Sequence, residues 1–232
     1  MPVINTHGRE TDDVPTEWLD AIEEYKDSIS DGLKGTIHRR KKIMQIVDKK
    51  GRITESDTTY CTVLRDMYGV KTVTETDRFW NPTDDIAKSD DKGGKRIKFG
   101  PLAAFSKEHR ALYEFRLVAI QEDGSATIAY NPRNPDEFEG DGFQAEVTFD
   151  TITGAPLRIV GAPIPLPGRM NEMRMDVVYE ALLDGVHVPS HSLTIGMSKL
   201  LLYKLRFQVR QQFSEYQRSV LMTPGDMVHS SR

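Results

Sequence analysis

Several stretches in the second half of the chain alternate apolar and polar residues with a period of two. The clearest sets Leu201, Tyr203, Leu205, Phe207 and Val209 against Lys204, Arg206, Gln208 and Arg210. Successive side chains of a strand point to opposite faces, so such a stretch needs an apolar partner on one side and water on the other. The same alternation places Phe143, Ala145, Val147 and Phe149 between Gln144, Glu146 and Thr148, and Met173, Met175, Val177 and Tyr179 among Glu172, Arg174, Asp176 and Glu180. Short turns at Asp123-Gly124, Thr153-Gly154 and Asp184-Gly185 separate these runs, which describes an antiparallel meander.

The first half adds one helix and further strands. Pro15 and Thr16 precede Trp18, Leu19, Ile22, Tyr25 and Ile29, whose spacing gives a single apolar stripe, and Asp31-Gly32 is a stop; the helix is expected over about 16–30. Ile43 to Val47 and Ile53 flank the turn Asp48-Lys49-Lys50-Gly51. Tyr60, Thr62 and Leu64 then alternate, and Val70 to Thr76 is rich in β-branched residues. About 81–95 is polar, with Pro82 and Gly93-Gly94, and is expected to be a mobile surface loop. Pro101 to Phe105 suits a short helix, Leu112 to Ile120 a strand, and the segment 217–232 a frayed tail.

The chain has 232 residues, enough for one large β-rich domain spanning 1–232 with a sizeable core or a lined cavity. The formal net charge of -4 gives no global attraction to nucleic acid or to an anionic membrane, so a neutral or apolar partner is expected and nucleic acid is not. Cys61 is the sole cysteine, which excludes an intramolecular disulfide and any cysteine metal cluster. No apolar run approaches a membrane span, and the opening MPVINTHGRETDDVP lacks the apolar centre of a signal peptide. The expected compartment is cytoplasmic if Met1 is the native start, and an exported one if a leader has been removed.

Chemistry-bearing patterns are sparse. His187 and His191 are four apart, but Pro189 and the β-branched neighbours make the segment extended, where the pair would lie about 13 Å apart, too far for one zinc ion. The basic run His38-Arg39-Arg40-Lys41-Lys42 is read as a guard of an exposed strand edge, the alternative being contact with phosphate, nucleic acid, lipid headgroups or an acidic partner, and Gly161 to Gly168 as a stiff crossover, the alternative being a ligand for a proline-recognising domain. The paired acids at Asp12, Asp84 and Asp90 sit in hydrated stretches. No nucleophile elbow, phosphate loop or dinucleotide motif is present, so neither catalysis nor a cofactor or metal is expected.

The run FDTITGAPLRIVGAPIPLPGRMNEMRMDVVYE, continuing through HVPSHSL to YKLRFQVRQQFSEY, resembles bacterial cell-envelope proteins related to the outer-membrane lipoprotein-sorting (LolA-like) group. Asp150 to Gly154 is similar to the family's acid-x-x-T-G turn, and Gly161 to Gly168 to its proline-rich connector. Met173 to Tyr179 matches its M-x-M-x-V-x-Y strand, and Leu205 to Tyr216 its closing basic-aromatic strand. The similarity covers about 99–216.

The resemblance implies an α+β fold: a long antiparallel sheet curled into a half-barrel, with helices across a concave apolar face. It further implies a periplasmic carrier or binding protein, without catalysis, for a lipid, an acyl chain or a lipidated protein. The alternative is a cell-envelope interaction or sensory module of the same fold, with a protein partner and no stably bound ligand. Combined with the alternation, it makes Phe115, Leu117, Val147, Phe149, Leu157, Ile159, Met173, Met175, Val177, Leu205, Phe207 and Val209 the candidate lining of an apolar cleft. Leu201 to Arg210 is then expected to be the closing strand of the curled sheet.

Overall fold

The computed structural model describes residues 13–65, 71–76, 101–138, 142–168, 170–182, 185–200 and 203–218. The α-helix among the described residues, α1 (Thr16–Gly32), carries the expected stripe: Leu19 and Ile22 are buried, and Trp18 packs beside them. The strands are β1 (Thr36–Val47), β2 (Ile53–Arg65), β3 (Lys71–Thr76), β4 (Tyr113–Ile120) and β5 (Ser125–Pro132), then β6 (Gly142–Asp150), β7 (Pro156–Ile164), β8 (Met170–Ala181), β9 (His187–Leu200) and β10 (Tyr203–Arg218). Short 3-10 turns lie at Ala103–Phe105, Arg110–Leu112 and Pro135–Glu137.

All ten strands form one antiparallel sheet in the order β3-β2-β1-β10-β9-β8-β7-β6-β5-β4. Among the described residues β3 and β4 are its two edges, and the sheet is an open half-barrel. From β4 to β10 it is the meander expected from the turns. The first three strands are a second meander, joined to it by pairing of β1 with β10.

That junction corrects two expectations. Leu205 to Arg210 lie in an interior strand between β9 and β1, because the N-terminal strands continue the sheet beyond it. The basic run on β1 likewise guards no edge, since β1 lies between β2 and β10. β10 also continues through Gln217 and Arg218, two residues past the expected start of the tail. The expected loop at 81–95 and the tail from 219 onward lie outside the described residues.

The core sits where α1 meets β4 to β7. Phe105, Tyr113, Ile128, Tyr130, Phe143, Val147, Phe149 and Ile159 form one cluster with Leu19 and Ile22. Trp18 meets Phe149 edge-on at 5.8 Å between ring centroids. Arg110, with a side chain only 16% exposed, joins the second 3-10 turn to the helix through Asp20 at 2.6 Å and Glu23 at 3.1 Å. Gly154, with φ of +72°, lies directly under the helix: a Cβ there would sit 2.2 Å from the Ala21 carbonyl oxygen.

Candidate ligand-binding face

Strand register assigns every side chain to one of two faces. Val147 lies opposite Ile159, Ile159 opposite Val177, Val177 opposite Ser192, Ser192 opposite Gln211, Gln211 opposite Lys42, and Lys42 opposite Thr59. Directly paired residues share a face. Since Val147 and Ile159 pack with the helix, this whole row belongs to the α1 face. Flanking rows repeat the assignment, pairing Gly161, Met175, Thr194, Val209 and Met44 in one, and Met173, Gly196, Phe207 and Ile46 in the next.

The α1 face divides into a sealed part and a half-open part. Val147, Phe149 and Ile159 are 0%, 0% and 1% exposed, so they are core residues that a ligand reaches only by displacing α1. Phe115 and Met175 pack partly against the same core. Leu117 pairs with Ile128 on this face, while Leu157 falls at the β6–β7 register shift, half-buried and without a paired partner. Met173, Val177, Leu205, Phe207 and Val209 form the second part, on β8 and β10, and keep partial exposure. Phe207 lies across Gly196, where its ring occupies space that a Cβ would enter at 2.4 Å.

The sequence reading missed two members of this strip. Ile46 and Met44 stand opposite Phe207 and Val209, and Met44 is 40% exposed. Their alternation is present in β1 but is broken by Lys42 and Arg40, which occupy the same face two and four residues earlier. Arg40 reaches the Cys61 sulfur at 3.5 Å, while its Nε and the Ser192 hydroxyl are buried and have no hydrogen-bond partner among the described residues. His38, beside them, stacks on Tyr216 at 4.5 Å. Burial, and then the charges of Lys71, Arg40 and Arg65, hold its imidazole down to about 4.

The histidine pair parts company because a register shift after Val178 leaves Ser190 as an extra residue. His187 receives Tyr25 of the helix against its Nδ1 at 3.2 Å, whereas His191 approaches Glu180 at 4.0 Å. No group of three His, Cys, Asp or Glu among the described residues is placed to hold a metal, and no helix among them is long and apolar enough to cross a membrane.

On the opposite face, Arg158 donates to Asp176 at 2.9 Å, and this hydrogen bond, followed by the charge, holds the Asp176 carboxyl below its ordinary value. That face carries two shallow hollows of about 370 Å³ each. One is bordered by Lys41, Ile43, Val178, Leu193 and Arg210 together with Ser192 and Gln211, the other by Val47, Arg174, Ile195, Met197 and Arg206 together with Met173, Gly196 and Phe207. Arg206 and Arg210 therefore face away from the helix, as the alternation requires.

No family model and no curated protein matches the chain. Solved structures do. The chain is similar to an outer-membrane lipoprotein-sorting protein domain from Vibrio parahaemolyticus. The match has 12% identity and a TM-score of 0.45, over 90% of this chain and 95% of that one. A DUF1329 family protein from Desulfovibrio piger matches with 11% identity and a TM-score of 0.43, over 95% of this chain and 99% of that one. A chain of the MucA/MucB complex of Pseudomonas aeruginosa follows, at 10% identity and a TM-score of 0.24, covering 87% of this chain and 100% of that one. At these identities the likeness is one of fold.

Proposed function

We propose that this chain is a bacterial cell-envelope carrier or binding protein that holds an acyl chain, free or attached to a lipid or lipidated protein, against the half-open part of its α1 face. One observation carries this: Met173, Phe207 and Ile46 in one row, joined across β9 by the Phe207 ring over Gly196, and Val209 and Met44 in the next row form an apolar patch that remains partly exposed beside a sealed core. Such a patch suits an alkyl chain, because burial of each methylene contributes about 0.8 kcal/mol without demanding directional contacts. Methionine thioethers fit variable chain shapes for the same reason. The periplasm is the compartment in keeping with the resemblance over 99–216, and the role is binding without chemistry.

Native mass spectrometry of gently purified protein, together with titration of a dansyl-labelled undecanoic acid, tests the proposal. A copurifying lipid or saturable probe binding supports it, and Val209→Asp should then abolish binding while the fold persists. A protein that emerges empty and binds no acyl probe sinks the carrier role and leaves an interaction module.

A further inference from the structure

The strip has a polar end. Ser192, Gln211 and Lys42 form one cross-strand row on the α1 face, with Val177 at its β8 end. Val209 and Met44 lie in the adjoining row on one side, and Arg40 and Phe213 in the row on the other. Neighbouring strands are about 4.8 Å apart, and same-face residues of one strand about 7 Å, so side chains as long as lysine and arginine can meet over this patch.

The polar groups here are short of acceptors. Arginine and lysine have only donors. Among the described residues the Arg40 Nε is buried without a partner, and its Nη2 donates to the Cys61 sulfur, a weak acceptor. The Ser192 hydroxyl is buried and equally unpartnered. No carboxylate among the described residues forms an ion pair with Arg40 or Lys42, although the comparable Arg39, Arg110 and Arg158 each have one. Buried polar groups are paired in the great majority of native structures, so orphaned donors together with two cations mark a place for an anion.

Resting on the function proposed above, we infer that the α1 face takes a single-chain anionic amphiphile. Its carboxylate or phosphate head accepts hydrogen bonds from Arg40, Lys42 and Ser192, and its tail runs over Val209, Phe207 and Met173. Side chains of Arg40 and Lys42 part to admit the head, which then fills the acceptor shortfall. A neutral ligand of the same length leaves it unfilled. Burial first, and then the charges of Lys71, Arg40 and Arg65, depress the basicity of His38, the second of these in keeping with a local surplus of positive charge.

The test compares dansyl-undecanoic acid with its methyl ester on the full chain at pH 8, with dodecanoate and dodecyl phosphate as competitors. The acid is expected to bind roughly tenfold or more tightly than the ester, in line with loss of one charge-assisted hydrogen bond. Lys42→Gln and Arg40→Gln should each bring the two affinities together by weakening the acid and leaving the ester in place. Ser192→Ala should do the same to a smaller extent. Stronger competition by dodecyl phosphate assigns the head to a phosphate, stronger competition by dodecanoate to a carboxylate.

Equal affinity of acid and ester for the parent protein, or a preference for the acid that survives in both cation variants, overturns the head-group site while leaving acyl binding intact. Failure of both probes to bind overturns acyl binding and the head-group site together. Thermal melts of each variant separate a lost contact from a lost fold, and Arg40→Lys, which keeps the charge, should retain part of the preference.

Discussion

The contact between α1 and the turn after β6 is tight enough to predict a stability change from one methyl group. Gly154→Ala places a Cβ 2.2 Å from the Ala21 carbonyl oxygen, 2.3 Å from its carbon and 2.7 Å from the Ile22 nitrogen, all backbone atoms that no rotamer change can move. Ordinary contact needs more than 3 Å, so the helix must shift by roughly 1 Å or the turn must open. The left-handed φ of +72° costs a further ~1–2 kcal/mol for any L side chain. Adding ~1–3 kcal/mol for the overpacked contact gives a loss of about 2–5 kcal/mol. Much of it reflects disturbed seating of Leu19 and Ile22, which are 9% and 1% exposed.

Gly124→Ala is the matched control. Its φ of +85° imposes the same backbone penalty, yet a Cβ there meets nothing within 4 Å. Urea unfolding of both variants gives the clash contribution as the difference between them, expected to exceed ~1 kcal/mol. In a Trp80→Phe background the emission of Trp18 reports its contact with Phe149 separately, and should shift to the red in Gly154→Ala alone. Equal losses for the two variants, with unchanged Trp18 emission, would refute the direct seating of α1 on this turn.

Other consequences follow from the two parts of the α1 face and from its titrating groups. Phe149→Ala should cost about 3–5 kcal/mol in urea unfolding, whereas Phe207→Ala, on a half-exposed residue, should cost less while weakening acyl-probe binding. Met175→Arg should lower stability, because Met175 packs on the core, while Met173→Arg should leave it nearly unchanged and abolish probe binding; the reverse pattern would show that the open part has been misplaced.

The His38 imidazole titrates near 6.5 when unfolded and about 4 when folded. Between those values the unfolded state takes a proton that the folded state refuses, so stability should fall as pH drops from 6.5 to 4, and His38→Gln should flatten that limb of a urea-midpoint profile. For Asp176 the folded value lies below 3.8, so the stabilisation from Arg158 is present above pH 3.8 and lost as pH falls through the folded value. The stability gap between the parent and Arg158→Gln should therefore close at the acid end.

Local signals made the helix and most strands legible. The stripe Trp18, Leu19, Ile22 and the stop at Gly32 marked α1, and the alternations at Phe143–Phe149 and Met173–Val177 placed these residues on the face they occupy. Pairing of β1 with β10 was not legible, because nothing in either strand names a partner so far away in sequence, and without it β10 looked like an edge. The extra residue at Ser190 was hidden too, since a register shift has no composition of its own and here merely turns His191 away from His187. Within the candidate cleft, the face could be read but the extent of the lid could not. Whether Val147 or Val209 is sealed depends on where α1 docks, and that is fixed by the distant Gly154 turn.

Dimensions explain why one part of the face is closed and the next is not. Ten strands about 4.8 Å apart span roughly 43 Å, while a helix of 17 residues is about 25 Å long and 10 Å wide. Anchored at Gly154 and by Arg110, with Tyr25 reaching only to His187 at the start of β9, α1 covers a band over β5 to β7 and leaves the centre of β8 to β10 and β1 beyond its footprint. A face meant only for solvent would be expected to carry the charges there. Instead Lys204, Arg206 and Arg210 alternate to the opposite side, and Leu205, Phe207 and Val209 stay on the helix side beside Met44 and Ile46. Apolar area kept in place at the cost of exposure, next to cations without an acceptor among the described residues, is the pattern that a bound amphiphile would complete.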